Sequence, residues 1–218
     1  AVCSDNKGNI YAAGWFSNSQ GRDYVSKWNG TNWSELGGLS ALNANAPIYS
    51  ICSDANGNIY AAGSFSNVSA NNRYVAKWDG ANWSELGGVD SLAADGVINC
   101  VYCDANGNVY AAGNFGDGTG GKYVAKWDGV NWSNLGTLKA NNVINSICSD
   151  SSGNIYAAGL FADTSGFWYV AKWDGVHWSE VGGTGGLSPN GWISAVYCDA
   201  AQNIYAAGGF TNSSSKYY

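Results

Sequence analysis

An internal repeat constrains this chain more than any other feature. The string Asn-Ile/Val-Tyr-Ala-Ala-Gly returns with its tyrosine at Tyr11, Tyr60, Tyr110, Tyr156 and Tyr205, so five copies begin at intervals close to 49 residues. Such a period marks one supersecondary unit that cannot bury its apolar face alone and stacks against copies of itself. The copies fall at about 1–47, 48–97, 98–143, 144–192 and 193–218, within one domain spanning 1–218.

Within a copy, Ile51–Asp54, Asn58–Phe65, Tyr74–Trp78 and Trp83–Leu86 are predicted as four strands. The turns Asp54-Ala-Asn-Gly-Asn58 and Asp79-Gly-Ala-Asn82 suit tight hairpins, whereas the other two connections change length between copies. One face of the unit therefore varies and the other does not. In the second strand Ile59, Ala61, Gly63 and Phe65 alternate with Tyr60 and Ala62, so neither side is polar and both must be covered. Trp78 and Trp83 flank a turn as a cross-strand pair, repeated as Trp28/Trp33, Trp127/Trp132 and Trp173/Trp178, and are assigned to packing between units. With 31 Gly, 2 Pro and no helical stripe, the class is all-β. The expected fold is a five-bladed β-propeller of four-stranded antiparallel blades, the fifth incomplete.

The fifth copy starts its third strand at Lys216 and stops at Tyr218. Ala1 to Asp5 aligns with a first strand, so the ring is expected to close by side-chain packing rather than strand exchange. The natural chain is expected to continue past Tyr218, or a neighbouring molecule to cover the open edge. The absence of Met likewise suggests a processed product or a piece of a longer protein.

The Gly-Asn-Ile-Tyr-Ala-Ala-Gly strand followed by a Lys-Trp-Asp-Gly-x-x-Trp hairpin resembles extracellular bacterial propeller repeats of the kelch-like or galactose-oxidase-like kind, over the whole chain. In blade count and repeat length the chain also resembles five-bladed lectins of the tachylectin type. The resemblance implies a propeller fold and a binding role at the cell surface or outside it.

The residues exclude several other functions. A net charge of -6 without a Lys/Arg cluster argues against nucleic acid, and the apolar runs are too short to insert in a membrane. The single histidine, His177, fills a hairpin slot held elsewhere by Asn32, Asn82 and Asn131, so it reads as a turn residue rather than a catalytic base. Eleven of the 16 acids sit at repeated positions; the other five, Asp23, Asp90, Asp95, Asp117 and Asp163, fall in the variable loops. No catalytic pair, metal site or cofactor is expected. Asp54-x-Asn56-x-Asn58 has the spacing of a calcium loop but lacks its later Glu, and reads as an Asx turn. The six cysteines track the repeat and are expected to be thiols, an inter-blade disulfide being the alternative. Several Asn-x-Ser/Thr strings, at Asn29, Asn67 and Asn212 among others, would be glycosylation acceptors in a eukaryotic secretory route and plain turns in a bacterium.

What remains is a non-enzymatic binding module. Its ligand, a glycan or another cell-surface group, would be held by the variable loops through Trp15, Asp117, Asp163, Phe167, Trp168 and Trp192, since aromatic faces stack on sugar rings and Asp or Asn meets the hydroxyls. The rival is a structural unit of a surface protein or fibre that binds other copies of itself.

Overall fold

Short Asp/Asn/Gly turns between β-branched and aromatic runs leave the chain few choices beyond antiparallel hairpins. In the computed structural model, the described residues are 1–67, 70–183, 186–187 and 189–211. Among them five antiparallel sheets form, four of four strands and one of two. The first holds β1 (Val2–Ser4), β2 (Ile10–Ala12), β3 (Ser26–Trp28) and β4 (Trp33–Glu35). The second holds β5 (Ile48–Ser53), β6 (Ile59–Gly63), β7 (Ala76–Trp78) and β8 (Trp83–Glu85). The third holds β9 (Ile98–Cys103), β10 (Val109–Gly113), β11 (Ala125–Trp127) and β12 (Trp132–Asn134). The fourth holds β13 (Ile144–Ser149), β14 (Ile155–Gly159), β15 (Ala171–Trp173) and β16 (Trp178–Glu180), and the fifth pairs β17 (Ile193–Cys198) with β18 (Ile204–Gly208). Within each sheet every strand pairs with its neighbour in sequence, so the fold is all-β and propeller-like.

Some strand limits differ from the sequence reading. The first strand of the second copy begins at Ile48, not Ile51, because a bulge between Ile48 and Ser50 lets Ile48 pair with Gly63. It ends at Ser53, since Asp54 turns its carboxylate into the hairpin. Two 3-10 turns, Gly38–Ser40 and Gly88–Asp90, lie in connections read as plain loops. The expected strand at Lys216 and the Asn212 string lie outside the described residues.

The chain divides into two compact units, Ala1–Ala111 with Ala125–Ser133 and Ala112–Val124 with Asn134–Tyr218. The first unit is built on a core that includes Tyr11, Val25, Ile48, Ile59 and Phe65. In the second, Tyr156, Val170, Ile193, Val196 and Phe210 pack together. Strands β6, β10 and β14 are buried along their whole length, as two apolar faces require.

The repeated aspartate is the hub of each copy. Asp54 Oδ1 accepts from the backbone of Asn56 at 2.9 Å and Asn58 at 3.0 Å, while Oδ2 accepts from Asn58 Nδ2 at 2.6 Å and Tyr60 OH at 3.0 Å. Those four donors are those of an Asx turn locked to the next strand, and Asp5, Asp104 and Asp150 repeat them. Because Asp54 is buried, Asp54→Ala orphans the Tyr60 hydroxyl and is expected to cost about 2–3 kcal/mol in a urea melt. The same change at half-buried Asp199, where the bond from the Tyr205 hydroxyl is exposed, is expected to cost less.

These hubs set a pH window. Burial pulls Asp5 and Asp150 upward, but hydrogen bonds from Asn9 and Tyr11, and from Asn154 and Tyr156, outweigh it and hold both carboxyls below their usual range. Burial first, then the Asp150 carboxylate, pushes Tyr156 up to about 12. A depressed carboxyl stabilises above its unfolded value and loses that contribution as pH falls through the folded one. A raised tyrosine stabilises fully below about pH 10 and loses it as pH climbs toward the folded value. Stability is therefore expected to be flat between about pH 5 and 9 and to fall on both sides. Denaturant melts across pH check this, and a maximum near pH 3 would contradict it.

Candidate functional site

Repeated side chains join neighbouring copies along the tryptophan-flanked hairpins β7–β8, β11–β12 and β15–β16. The second tryptophan of each hairpin reaches the copy before it: Trp83 Nε1 donates to Leu36 O at 3.2 Å, Trp132 Nε1 to Leu86 O at 3.1 Å and Trp178 Nε1 to Leu135 O at 2.6 Å. Its partner ring lies tilted against it, with centroids 5.8 Å apart for Trp78 and Trp83 and 5.7 Å for Trp173 and Trp178. The strand tyrosine is fixed by an edge contact on a buried phenylalanine, Phe65 with Tyr74 and Phe161 with Tyr169, both at 5.0 Å.

These supports leave the same cleft open twice. In the first unit, Ala41 and Leu42 of the first copy face Tyr74, Trp83, Ser84 and Glu85 of the second across a cleft of about 440 Å³. In the second unit, Thr137 and Leu138 face Tyr169, Trp178, Ser179 and Glu180 across about 260 Å³. The residues match slot for slot. A third cleft of about 430 Å³, in the first copy, holds Asn18, Gln20, Glu35 and Leu39.

The carboxylates of the clefts differ in their partners. Asn18 Nδ2 donates to Glu35 Oε1 at 3.1 Å and Asn67 Nδ2 to Glu85 Oε1 at 3.4 Å. In the fourth copy Asp163 stands in the slot of Asn18 and Asn67 and lines the cleft with Glu180. Burial, then Glu85, raises the Tyr74 hydroxyl's pKa, and burial, then Glu180 and Asp163, raises that of Tyr169. Both hydroxyls are therefore protonated donors at neutral pH. The first two clefts thus offer aromatic walls, a carboxylate acceptor and hydroxyl donors, the set that meets a polyhydroxylated ring. Among the described residues no group of three His, Cys, Asp or Glu could hold a metal ion.

Of the loop residues singled out in the sequence, Asp163 is the one that lines one of these three clefts. Asp163 lines a cleft and also closes its own turn, Oδ1 accepting from Ser165 N at 2.8 Å and Phe167 N at 2.9 Å. Phe167 follows in that turn, half exposed, and Trp168 Nε1 donates to Leu160 O at 3.2 Å. Asp117 is likewise a turn residue, accepting from Thr119 N at 2.8 Å and Oγ1 at 2.6 Å. Trp15 is 79% exposed, with its ring 6.1 Å from Tyr49, and Trp192 lies over Gly209.

The loops also carry more of the repeat than the sequence reading allowed. Asn45, Asn141 and Asn190 each bind the residue 21 positions on, Asn45 at Ser66, Asn141 at Ala162 and Asn190 at Thr211. Asp95 occupies that slot in the second copy. Asp23, buried and bonded to Ser17 Oγ at 2.6 Å, stands in the slot of Arg73, Lys122 and Trp168. Of the five acids assigned to variable loops, four are thus repeat positions. His177 is a turn residue, its backbone N–H on Asp174 Oδ1 at 2.8 Å.

No protein-family profile matches the chain, and no curated protein matches it in sequence. Solved structures do resemble it in fold. The extracellular domain of a hybrid two-component system from B. thetaiotaomicron superposes with a TM-score of 0.60 at 13% identity, covering 94% of this chain and 26% of that one. A protein described as a gluconolactonase gives 0.55 at 13% identity, over 94% of this chain and 69% of the other. PorZ, a bacterial surface component of the type-IX secretion system of Porphyromonas gingivalis, gives 0.54 at 10% identity, over 95% and 38%. The chain thus spans about a quarter of the first of these and little more than a third of PorZ. At such identities the likeness concerns the fold alone, and it agrees with a propeller-like arrangement.

Proposed function

We propose that this protein is a non-enzymatic, lectin-like binding module that acts outside the cell, its five copies being blades of one propeller. The observation that carries this reading is the recurrence of one cleft, Leu42 with Tyr74, Trp83 and Glu85, then Leu138 with Tyr169, Trp178 and Glu180. Framework residues recur too, but framework alone does not require an open, aromatic-walled space with a carboxylate at its side. The carboxylates favour a neutral or cationic ligand over a phosphorylated or sialylated one. The extracellular setting draws on the bacterial surface and extracellular proteins that share the fold, and among the described residues no helix is long and apolar enough to cross a membrane. The turn duty of Asp163 and the amide on Glu85 weigh against a freely acting catalytic pair.

A second reading, a surface unit that binds copies of itself, draws on Leu39 and Val89, which stand fully in solvent at the tips of the 3-10 turns. A glycan array with intact protein, paired with sedimentation, separates the two. Saturable binding to a defined sugar class is the result expected here; a silent array with concentration-dependent assembly supports self-association instead.

A further inference from the structure

All six cysteines are thiols, and the clefts make no use of them. In the first unit β5 and β9 lie side by side, their register set by Ser50, whose Oγ accepts from Val101 N at 3.0 Å and donates to Val101 O at 3.3 Å. Two residues further along each strand stand Cys52 and Cys103, and their thiols hydrogen-bond to one another. On the other flank Ser53 Oγ donates to Ser4 O at 2.7 Å and sets Cys3 next in the row.

The arrangement is a feature of the repeat, not one chance contact. In the second unit Ser146 Oγ accepts from Val196 N at 3.1 Å and donates to Val196 O at 3.3 Å, which brings Cys148 and Cys198 into the same relation. There the Cys198 thiol turns to Asp199 O at 3.6 Å. Cys52 and Cys103 are the pair in which one thiol is the other's hydrogen-bond partner.

We propose that Cys52 and Cys103 form a reversible disulfide that staples the second sheet to the third. The oxidant is a small disulfide such as glutathione disulfide. One protein thiolate attacks a glutathione sulfur and expels a glutathione thiolate; the second protein thiolate then displaces the other glutathione from the mixed disulfide. Two protein thiols give up two protons and two electrons, and one glutathione disulfide becomes two glutathiones. A disulfide needs Cα atoms about 4.4–6.8 Å apart and sulfurs about 2.05 Å apart, so the two side chains rotate toward each other as the bond forms. Burial, then the Cys103 thiol, pushes Cys52 well above its ordinary value, and burial, then the same thiol, pushes Cys3 up to about 12. Since the thiolate is the attacking species, the exchange is slow at neutral pH and quickens as pH rises.

The test is a peptide map. Intact protein is incubated with glutathione disulfide at pH 9, alkylated, digested without reduction and analysed by mass spectrometry. The expected result is a Cys52–Cys103 linked peptide, two fewer titratable thiols per chain, and reversal by dithiothreitol. Cys3→Ser retains the crosslink and Cys103→Ser abolishes it. If a variant fails to fold, the map of the natural chain decides alone. Absence of the Cys52–Cys103 peptide overturns the proposal, whether all six thiols survive or another pair forms.

Discussion

Replacing Gly63 with alanine is expected to cost about 3 kcal/mol or more and to lower the thermal midpoint by roughly 10 °C. A Cβ at this position would lie 2.2 Å from Pro47 O, 2.9 Å from Ile48 Cα and 3.0 Å from Tyr49 N. All three are backbone atoms of the partner strand, pinned by the bulge that pairs Ile48 with Gly63, so no side chain can swing aside to make room. Gly159 meets the same obstacle at Val143 O, 2.1 Å away. Gly14 fills the slot in the first copy, but there an added Cβ would touch only the Phe16 ring, at 3.8 Å. Gly14→Ala is therefore expected to shift the midpoint by less than about 2 °C. Scanning calorimetry on the two variants decides the matter, and equal shifts would show that backbone crowding is not why the repeat requires glycine.

Trp83→Ala is expected to cost about 3 kcal/mol in a denaturant melt and to weaken ligand binding as well. The change removes the ring tilted against Trp78, the indole bond to Leu36 O and one wall of the cleft. Trp78 makes the contrast, because its ring lies against the first copy at Gly37, where an added Cβ would come within 3.0 Å of it. Trp78→Ala is expected to destabilise by a similar amount while leaving affinity, measured well below the midpoint, within about threefold. Equal losses of affinity in the two variants would mean that Trp83 acts only through the fold.

Much of this architecture was legible because the chain repeats its turn chemistry. The Asp-x-Asn-Gly-Asn string announces a hairpin whichever copy is read, and the all-apolar β6 announces cover on both faces. The bulge at Ile48 was not legible, since a bulge is a relation between two strands and leaves no mark on one. The clefts were hidden for a different reason. Glu85, Trp83 and Tyr74 are repeat residues, and a repeated residue reads as framework; but in a chain made of copies a binding site is copied too. Conversely, Asp117 and Asp163 looked variable only because acid replaces amide in a slot whose turn duty stays the same. Trp15 lies beside Tyr49 and Trp192 over Gly209, contacts that sequence spacing cannot reveal.

The central claim is that ligand sits in the repeated clefts, beside Glu85 and Glu180. The most direct measurement is calorimetric titration of the best glycan from the array into the natural chain and into a variant carrying both Glu85→Gln and Glu180→Gln. Glutamine keeps the shape but removes the charge and turns one acceptor oxygen into a donor, so a charge-assisted hydrogen bond to the carboxylate is weakened while the walls persist. The account predicts that affinity falls about tenfold or more while the thermal midpoint moves by less than about 2 °C. Unchanged affinity in that folded double variant would contradict it and would move the search for the ligand away from the clefts.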